Sequence, residues 1–574
     1  MADLEQLLYE RLAPAFEQMA GVSVDPVVRR SQHADFQADG ALALARRLGG
    51  DPRDAAAQVL QHAQLDDLCS VVEISGPGFI NLTFYDGVLG RVLADVGRDE
   101  RLGVASADRP AIVTVDYSAP NAAKEMHVGH LRSTIIGDAA VRLLEWVGHT
   151  VIRQNHVGEW GTPFGMLIEH LLDGGEAEAA HELSVGDLNG FYRAARAKFD
   201  ADEAFKDRSR RRVVLLQGGE EKTLRLWRTL VEESEKYFLA VYDRLGVRLT
   251  ADDFVGESFY NDQLQSVVDE LDKLGLLQVS EGAKCVFPAG FTNRNGEPLP
   301  LIVQKGDGGF GYAATDLATI RRRVQDLHAT RLLYVVGLPQ RQHLQMVFET
   351  AREAGWLAPP VRAEHVGHGS ILGEDGRILR TRAGASVKLV DLLDEAVARA
   401  AAVVAERSPD LDEASRAAVA KAVGIGAVKY ADLSVDRGKD YAFDYDRMLS
   451  FEGNTAPYLQ YAHARIRSIF RRGNVEPPRT VGQVVVAEPA ERTLAVELLA
   501  FGGVVGDVAA SLEFHRLASY LYGLASTFTG FYENCPVLKS VGEVRASRLL
   551  LCDMTARVLA VGLEILGITV LDQM

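Results

Sequence analysis

Two histidines separated by a valine and a glycine are the clearest candidates for chemistry in this sequence. His127-Val128-Gly129-His130 follows a β-branched run, Ile112–Val115, and precedes apolar residues at helical spacing. The pattern predicts that both histidines lie between a strand and a helix N-terminus, where the helix dipole favours anions. Imidazoles placed there can donate hydrogen bonds to the phosphate oxygens of ATP, and Gly129 lets a flat adenine or ribose approach the backbone. The tetrapeptide is short, so surface histidines are the alternative.

Two further basic features can reach the same phosphates. Lys124 lies three residues before His127 and can act as a point charge, although a solvated loop lysine has the same sequence pattern. Gly376–Ser386 is a basic, glycine-containing segment that leads into a predicted helix. Its Arg380 and Arg382 can embrace a pyrophosphate leaving group, and an ordinary exposed loop is the alternative.

Polar residues at three predicted strand ends could bind a cationic substrate. Asp116 ends the first strand, and Asn121 follows in the loop. Tyr312 and Asp316 are four residues apart at the start of a predicted helix and so share one face, and Gln340 follows a later strand. A guanidinium presents a planar fork of donors that suits carboxylates and amide oxygens. Each residue alone could be structural, whereas the set predicts a site for such a cation.

Composition limits the class of protein. The net charge of −17 argues against a protein that coats itself in nucleic acid, and confines any such binding to a local basic face. The four cysteines lack CxxC spacing, so we expect no structural metal and no disulfide framework. The N-terminus lacks a basic n-region, and no apolar run reaches about 18 residues. We therefore expect a cytoplasmic protein without a membrane span.

The order of the predicted elements indicates a multidomain α/β protein. Residues 1–105 read as a small α/β domain, and residues 106–385 alternate strands and helices as a parallel sheet does. A charged helical insertion at about 165–280 separates two halves of the second domain, which predicts a split Rossmann-type arrangement with its site in the crevice between them. Residues 386–450 form a predicted helical connector, and residues 451–574 an all-helical C-terminal domain.

Several of these segments closely resemble the arginyl-tRNA synthetases. His127–His130 is similar to the HIGH motif of the class I aminoacyl-tRNA synthetases. The resemblance covers nearly the whole chain, in order, through the segments Ser118–Gly161, Gly311–Ile320, Leu332–Glu349, Gly376–Ala396 and Asn454–Ile469.

The resemblance implies a two-step reaction. L-arginine and ATP, with Mg²⁺ as part of the substrate complex, give arginyl-adenylate and pyrophosphate. The arginyl group then moves to the 2′-hydroxyl of the terminal adenosine of tRNA(Arg), and bound tRNA is generally needed for the first step. The resemblance also implies a monomer, an N-terminal domain that contacts the tRNA D-loop, and a helical anticodon-binding domain at 451–574.

The resemblance assigns roles to individual residues. The catalytic and ATP-binding set comprises Lys124, His127, Gly129, His130, Arg380 and Arg382. The arginine-binding set comprises Asp116, Asn121, Tyr312, Asp316 and Gln340, with the acidic pair on the guanidinium. The N-terminal tRNA contacts are Asn81 and Phe84.

The sequence departs from the class I pattern at one place. The KMSKS signature is absent, and Arg377–Arg382 occupies its position without the second lysine. Many arginyl enzymes share this loss, and Lys124 matches the lysine thought to compensate. Three alternatives remain at this stage: another class I synthetase, for lysine or cysteine, a small HxGH nucleotidyltransferase, or a catalytically silent tRNA-binding paralogue.

Overall fold

The computed structural model describes residues 4–175, 188–380, 386–478 and 484–574. The chain forms two compact units, which we describe separately. The central unit comprises Ala107–Leu449 with Ile565–Ile568, and the terminal unit comprises Met1–Ser106, Ser450–Glu564 and Thr569–Met574.

The central unit contains the strands expected of a Rossmann-type domain and additional short strands. Its strands are β5 (Ile112–Asp116), β6 (Thr150–Gln154), β7 (Gln278–Ser280), β8 (Ala283–Val286), β9 (Leu301–Gln304), β10 (Arg331–Tyr334), β11 (Arg362–His365), β12 (Ile371–Leu372) and β13 (Tyr441–Ala442). Its helices are α5 (Leu131–Trp146), α6 (Thr162–Gly174), α7 (Leu188–Ala201), α8 (Glu203–Gln217), α9 (Glu221–Leu245), α10 (Asn261–Lys273), α11 (Tyr312–Gln325), α12 (Arg341–Glu353), α13 (Leu389–Arg407), α14 (Glu413–Leu433) and α15 (Tyr445–Met448).

A four-stranded parallel sheet in the order β11-β10-β5-β6 positions the site. The first half of the domain supplies β5 and β6, and the second half supplies β10 and β11. Asp116, the last residue of β5, is in register with Tyr334 at the end of β10. The strand order reverses between β5 and β10, and ligands of such sheets bind beyond the carboxyl ends at that point. The predicted split Rossmann-type domain is confirmed.

Helix α5 begins directly after the two histidines and is buried on nearly every side. Gly148, with φ 95°, follows its end as the periodicity predicted. The Arg132 guanidinium in its first turn pairs with Asp432 of α14 at 3.1 Å, and both side chains are buried. Because the helix is fixed on its sheet side and its outer side, its N-terminus is a rigid platform.

Within the described residues, the insertion predicted at about 165–280 is helical as far as the end of α10 at Lys273, and short strands follow it. Helices α6 to α10 are followed by an antiparallel three-stranded sheet in the order β7-β8-β9, which the sequence analysis did not predict. These strands are four residues or shorter, too short for a period-two pattern to be evident.

The terminal unit combines the two ends of the chain. Its N-terminal part is an antiparallel sheet in the order β1-β2-β4-β3, flanked by helices, with β1 (Val28–Arg30), β2 (Phe36–Ala38), β3 (Cys69–Ser75), β4 (Phe79–Phe84), α1 (Leu4–Ala20), α2 (Ala41–Leu48), α3 (Pro52–His62) and α4 (Asp86–Arg98). Its C-terminal part is helical, with α16 (Ala456–Gly473), α17 (Pro489–Leu499), α18 (Phe501–Ser511), α19 (Phe514–Asn534) and α20 (Gly542–Ile565). Arg492 of α17 pairs with Asp35 at 2.7 Å and joins the two parts.

One described stretch is apolar enough, by length and composition, to cross a bilayer. It is Pro489–Ser511, which covers α17 and α18, and 44% of its apolar window is buried inside the protein. Leu494, Leu498, Phe501 and Val505 are among its fully buried residues. Packed core helices commonly pass this test, so the stretch is weak evidence for a span.

Candidate active site

His127 and His130 lie side by side at the entrance to α5, in a single 3₁₀ turn. Their ring centroids are 4.1 Å apart. The Nδ1 atom of His127 accepts a hydrogen bond from the Gly129 amide at 3.0 Å, and Nδ1 of His130 accepts from the His127 amide at 3.1 Å. In a neutral imidazole with Nδ1 as acceptor, the proton resides on Nε2. Both rings therefore present an Nε2–H donor.

The environment keeps these imidazoles neutral. Burial lowers the pKa of His130 to about 4, and the neighbouring His127 adds to the fall. Burial, and then the Lys124 ammonium, lower the pKa of His127. At neutral pH the two uncharged rings can therefore donate hydrogen bonds from Nε2–H to an anion. Glycine is required at position 129 by a steric clash within the motif, and not by the approach of substrate. A Cβ there would lie 2.7 Å from Cε1 of His127.

The histidines line a cavity of about 470 Å³ beside the loop between β5 and α5. Lys124, predicted to act with the histidines, lines the same cavity, and so does Asn121, which was predicted among the arginine-binding residues. The Lys124 ammonium lies over the Tyr192 ring of α7, 4.4 Å from its centroid. This cation–π contact holds the lysine at the cavity wall.

Lys388 and Glu125 also line this cavity, and neither was predicted from the sequence. Val128 donates its amide to Val387 O at 2.9 Å and Leu389 donates to Met126 O at 3.0 Å, so the two segments pair as short antiparallel strands. Lys388 Nζ then lies 2.8 Å from Glu125, whose side chain is buried. A second lysine is thereby brought to the phosphate-sized cavity.

The two arginines of the basic loop are placed differently. Arg380 is exposed and lines a separate cavity of about 950 Å³ with Arg377 and Arg399, so the structure does not bring it to the histidine cavity. Arg382 lies outside the described residues. Arg380 and Ser386 are bridged as antiparallel partners, which fixes both ends of the intervening segment.

On the other side of β5, Asp116 forms a buried ion pair. Its Oδ2 accepts from Arg323 of α11 at 2.7 Å, and the Arg323 guanidinium lies over the Tyr334 ring. Burial raises the pKa of Tyr334, Arg323 opposes the rise, and the Asp116 and Asp316 carboxylates add to it. Both predicted acids thus lie close enough to act on one phenol.

The remaining predicted cation ligands lie on α11 and at the start of α12. Asp316 Oδ2 is 2.6 Å from His343 Nε2, and this hydrogen bond raises the pKa of His343. Tyr312, in the first turn of α11, is 78% exposed. Gln340 is exposed in a 3₁₀ turn beyond β10, which mirrors the position of His130 beyond β5.

Two neighbouring acids were not predicted: Glu159, which is buried, and Glu257, which is half-buried and interacts with Asp316. Burial raises the pKa of Glu257 to about 7, and the Glu159 and Asp316 carboxylates add to the rise. Burial likewise raises the pKa of Glu159 to about 7. These acids repel one another and would be stabilised by a cation. Neither acid belongs to a motif or periodic pattern of its own. Glu257 lies in the insertion, far from Asp316 in sequence, so only the fold shows that the two are close.

No group of three or more His, Cys, Asp or Glu side chains within the described ranges is placed to hold a metal ion.

Comparison with known proteins gives matches along the whole chain. A family model described as the catalytic domain of tRNA synthetases class I (R) matches residues 92–445. The models of the arginyl-tRNA synthetase N-terminal domain and the DALR anticodon-binding domain match residues 2–84 and 459–574. An arginine–tRNA ligase of Thermobifida fusca is 57% identical over 100% of both chains. The chain belongs to the class I arginyl-tRNA synthetases.

Other arginyl-tRNA synthetases also match over nearly the whole chain. The arginine–tRNA ligase of Frankia casuarinae is 52% identical, over 96% of this chain and 95% of that protein. The crystal structure of the Plasmodium falciparum arginyl-tRNA synthetase superposes with a TM-score of 0.87 at 28% identity, and that of Thermus thermophilus with 0.84 at 25%. Each alignment with these structures covers 100% of both chains.

The arginyl-tRNA synthetase N-terminal domain of this chain contains a basic groove of about 780 Å³. Arg29, Arg30 and His33 line it with Asn81. Asn81 Nδ2 donates to Ser75 Oγ at 3.0 Å, and its buried Oδ1 has no hydrogen-bond partner among the described residues.

The Phe84 ring does not line this groove. It is 1% exposed and packs edge-on against Phe36, because Phe84 lies on the same buried face of β4 as Ile80 and Leu82. An expected contact between this ring and tRNA therefore does not fit its position, whereas Asn81 lies in the groove.

Proposed function

We propose that this chain joins L-arginine to tRNA(Arg) through an arginyl-adenylate. The observation that carries the proposal is the arrangement at one edge of the sheet. Two neutral Nε2–H donors and two lysines lie beyond β5, and the partly buried acids Asp316 and Glu257, which interact with each other, lie in the second half of the site. An anion and a cation can then be bound side by side, as ATP and arginine require.

In the first step, a carboxylate oxygen of arginine attacks the α-phosphorus of ATP, and pyrophosphate leaves with the electron pair of the broken P–O bond. ATP enters as its Mg²⁺ complex. The Nε2–H groups of His127 and His130 stabilise the charge on the phosphoryl oxygens, and the ammonium of Lys124 supports the leaving pyrophosphate. Their geometry is set before the substrate binds, so little reorganisation is needed during the reaction.

The acids select the side chain of the amino acid. Asp316 and Glu257 are proposed to receive the guanidinium, with Tyr312 and Gln340 at the mouth and Asn121 at the α-amino and carboxyl end. Asp116 contributes through one oxygen while the other accepts from Arg323. The planar fork of arginine can pair with carboxylates in a bidentate geometry, which the compact ammonium of lysine does not match.

The second step transfers the arginyl group to the 2′-hydroxyl of the terminal adenosine and releases AMP. We propose that the basic groove with Asn81 binds the tRNA D-loop, because Arg29, Arg30 and His33 line it and can contact phosphates. The helices of residues 451–574 are proposed to bind the anticodon. The proposal includes a cytoplasmic monomer, and the four buried free cysteines suit a reducing compartment.

Charging of tRNA(Arg) with labelled arginine, with labelled lysine as the competitor, tests the proposal. We expect arginine to be attached in an ATP-dependent manner, and lysine to be rejected. A chain that binds tRNA(Arg) but attaches neither amino acid would be the silent paralogue instead. Attachment of lysine at a comparable rate would show that the acidic cluster has been assigned to the wrong substrate.

A further inference from the structure

The loop that carries Asn121 and Lys124 is held in a strained backbone conformation. Ser118, Ala119 and Ala123 have φ values of 71°, 45° and 59°. Apart from asparagine and aspartate, L-residues seldom adopt the left-handed region, so three such residues within six positions persist only where their surroundings enforce them. The loop therefore needs an external support.

Helix α9 of the insertion provides that support through two buried hydroxyls. Ser234 Oγ accepts from the Ala123 amide at 2.8 Å and donates to Leu230 O at 2.7 Å. The Tyr242 hydroxyl, two helical turns later, is 2.7 Å from Ser118 Oγ.

A second contact extends this support to the neighbouring strand. The Tyr242 hydroxyl accepts from Asn155 Nδ2 at 3.0 Å, and Asn155 Oδ1 in turn accepts from the Ala119 amide at 3.0 Å. The two hydroxyls thus contact Ser118 and Ala123 directly and Ala119 through Asn155, which accounts for each residue of the loop that has a left-handed φ.

We propose that Ser234 and Tyr242 are positioning residues for the reaction, which act through the loop rather than on the substrate. This inference rests on the proposed role of Lys124 at the pyrophosphate. Ala123 is directly followed by Lys124, so the hydrogen bond from its amide to Ser234 sets where the lysine stem begins. Without the acceptor, the buried amide is unsatisfied and the left-handed residues can relax, which moves the ammonium away from the cavity wall.

A double-mutant cycle between Ser234→Ala and Lys124→Ala tests the inference. The readout is arginine-dependent ATP–pyrophosphate exchange with tRNA present. We expect Ser234→Ala to lower kcat/KM for ATP about tenfold, which corresponds to the cost of leaving one buried amide without its acceptor. The KM for arginine should stay within about twofold of the parent value. In the Lys124→Ala background the same substitution should have an effect of less than about twofold, because the group that it positions is already absent.

Ser209→Ala is the matched control. Ser209 is also buried in an insertion helix, and its hydroxyl donates to the carbonyl four residues earlier, Phe205 O, at 2.8 Å. We expect it to lower thermal stability about as much as Ser234→Ala without changing KM for ATP. Tyr242→Phe is the second variant, in case Ser234→Ala folds poorly, and it should show the same dependence on Lys124.

The outcomes separate the two hypotheses. If Lys124→Ala is impaired but Ser234→Ala and Tyr242→Phe are additive with it, or are without effect, the positioning role is refuted and the proposed role of Lys124 remains. If Lys124→Ala is as active as the parent chain, the role of Lys124 is refuted, and the positioning role with it.

Discussion

Replacing Asp316 by asparagine removes one negative charge from the cation pocket and keeps the shape of the side chain. In the parent chain Asp316 Oδ2 lies 2.6 Å from His343 Nε2, which holds one carboxylate oxygen in place. The variant can still accept a hydrogen bond, but it cannot form a charge-assisted pair with the guanidinium. The substitution therefore tests charge recognition and not packing.

The expected magnitude follows from the exposure of the group. Truncating one partner of a buried, hydrogen-bonded charge pair costs about 2–5 kcal/mol. The Asp316 side chain is 24% exposed, which places the cost near the lower limit of this range. A loss of about 2 kcal/mol corresponds to a rise of about 30-fold in KM for arginine.

Steady-state pyrophosphate exchange in the presence of tRNA measures the effect, with KM determined for arginine and for ATP. We expect only the arginine KM to rise. Asp326→Asn is the matched control, because Asp326 is exposed at the C-terminal end of the same helix and makes the same charge change outside the pocket. An unchanged arginine KM in Asp316→Asn, or an equal rise in both variants, would refute the assignment of the pocket.

Three other predictions concern the same site. His130→Ala should lower kcat roughly 100-fold with little change in the arginine KM, because its Nε2–H donor acts on charge that develops in the transition state, and rapid-quench kinetics would measure this. The arginine KM should fall as the pH rises from 6 to 8, by up to about tenfold per unit below the pKa of Glu257, because the cation binds the ionised carboxyl. Glu257→Gln should flatten that profile, and a profile that is already flat in the parent chain would contradict the argument. Lys388→Met should lower the free energy of unfolding by about 2 kcal/mol in a urea titration, since it leaves the buried Glu125 carboxylate without this partner. An unchanged midpoint would show that this ion pair contributes nothing to stability.

The sequence was informative where local pattern and chemistry coincide. The β-branched run before Asp116 and the helical periodicity after His130 locate the loop between β5 and α5, and the structure confirms both elements. The split sheet could be predicted because strand and helix signals recur on both sides of the insertion. Each of these features depends on residues that are close in sequence.

The features that sequence analysis missed depend on residues that are distant in sequence. Lys388 reaches the histidine cavity because residues 387–389 pair with residues 126–128, and such pairing has no signal in either segment. Glu257 acquires its raised pKa from burial beside Glu159 and Asp316. Phe84 is the exception: it alternates with Ile80 and Leu82 on the buried face of β4, so the strand period did indicate a buried ring, and only the resemblance placed it at the tRNA.

Arginine-dependent ATP–pyrophosphate exchange, measured with and without tRNA(Arg), tests the central claim most directly. We expect exchange that requires arginine, is not supported by lysine, and depends on the presence of tRNA. Exchange without tRNA would overturn the expected tRNA dependence of the first step. If no exchange occurs with arginine even when tRNA is present, then the assignment of this site to arginine activation is wrong.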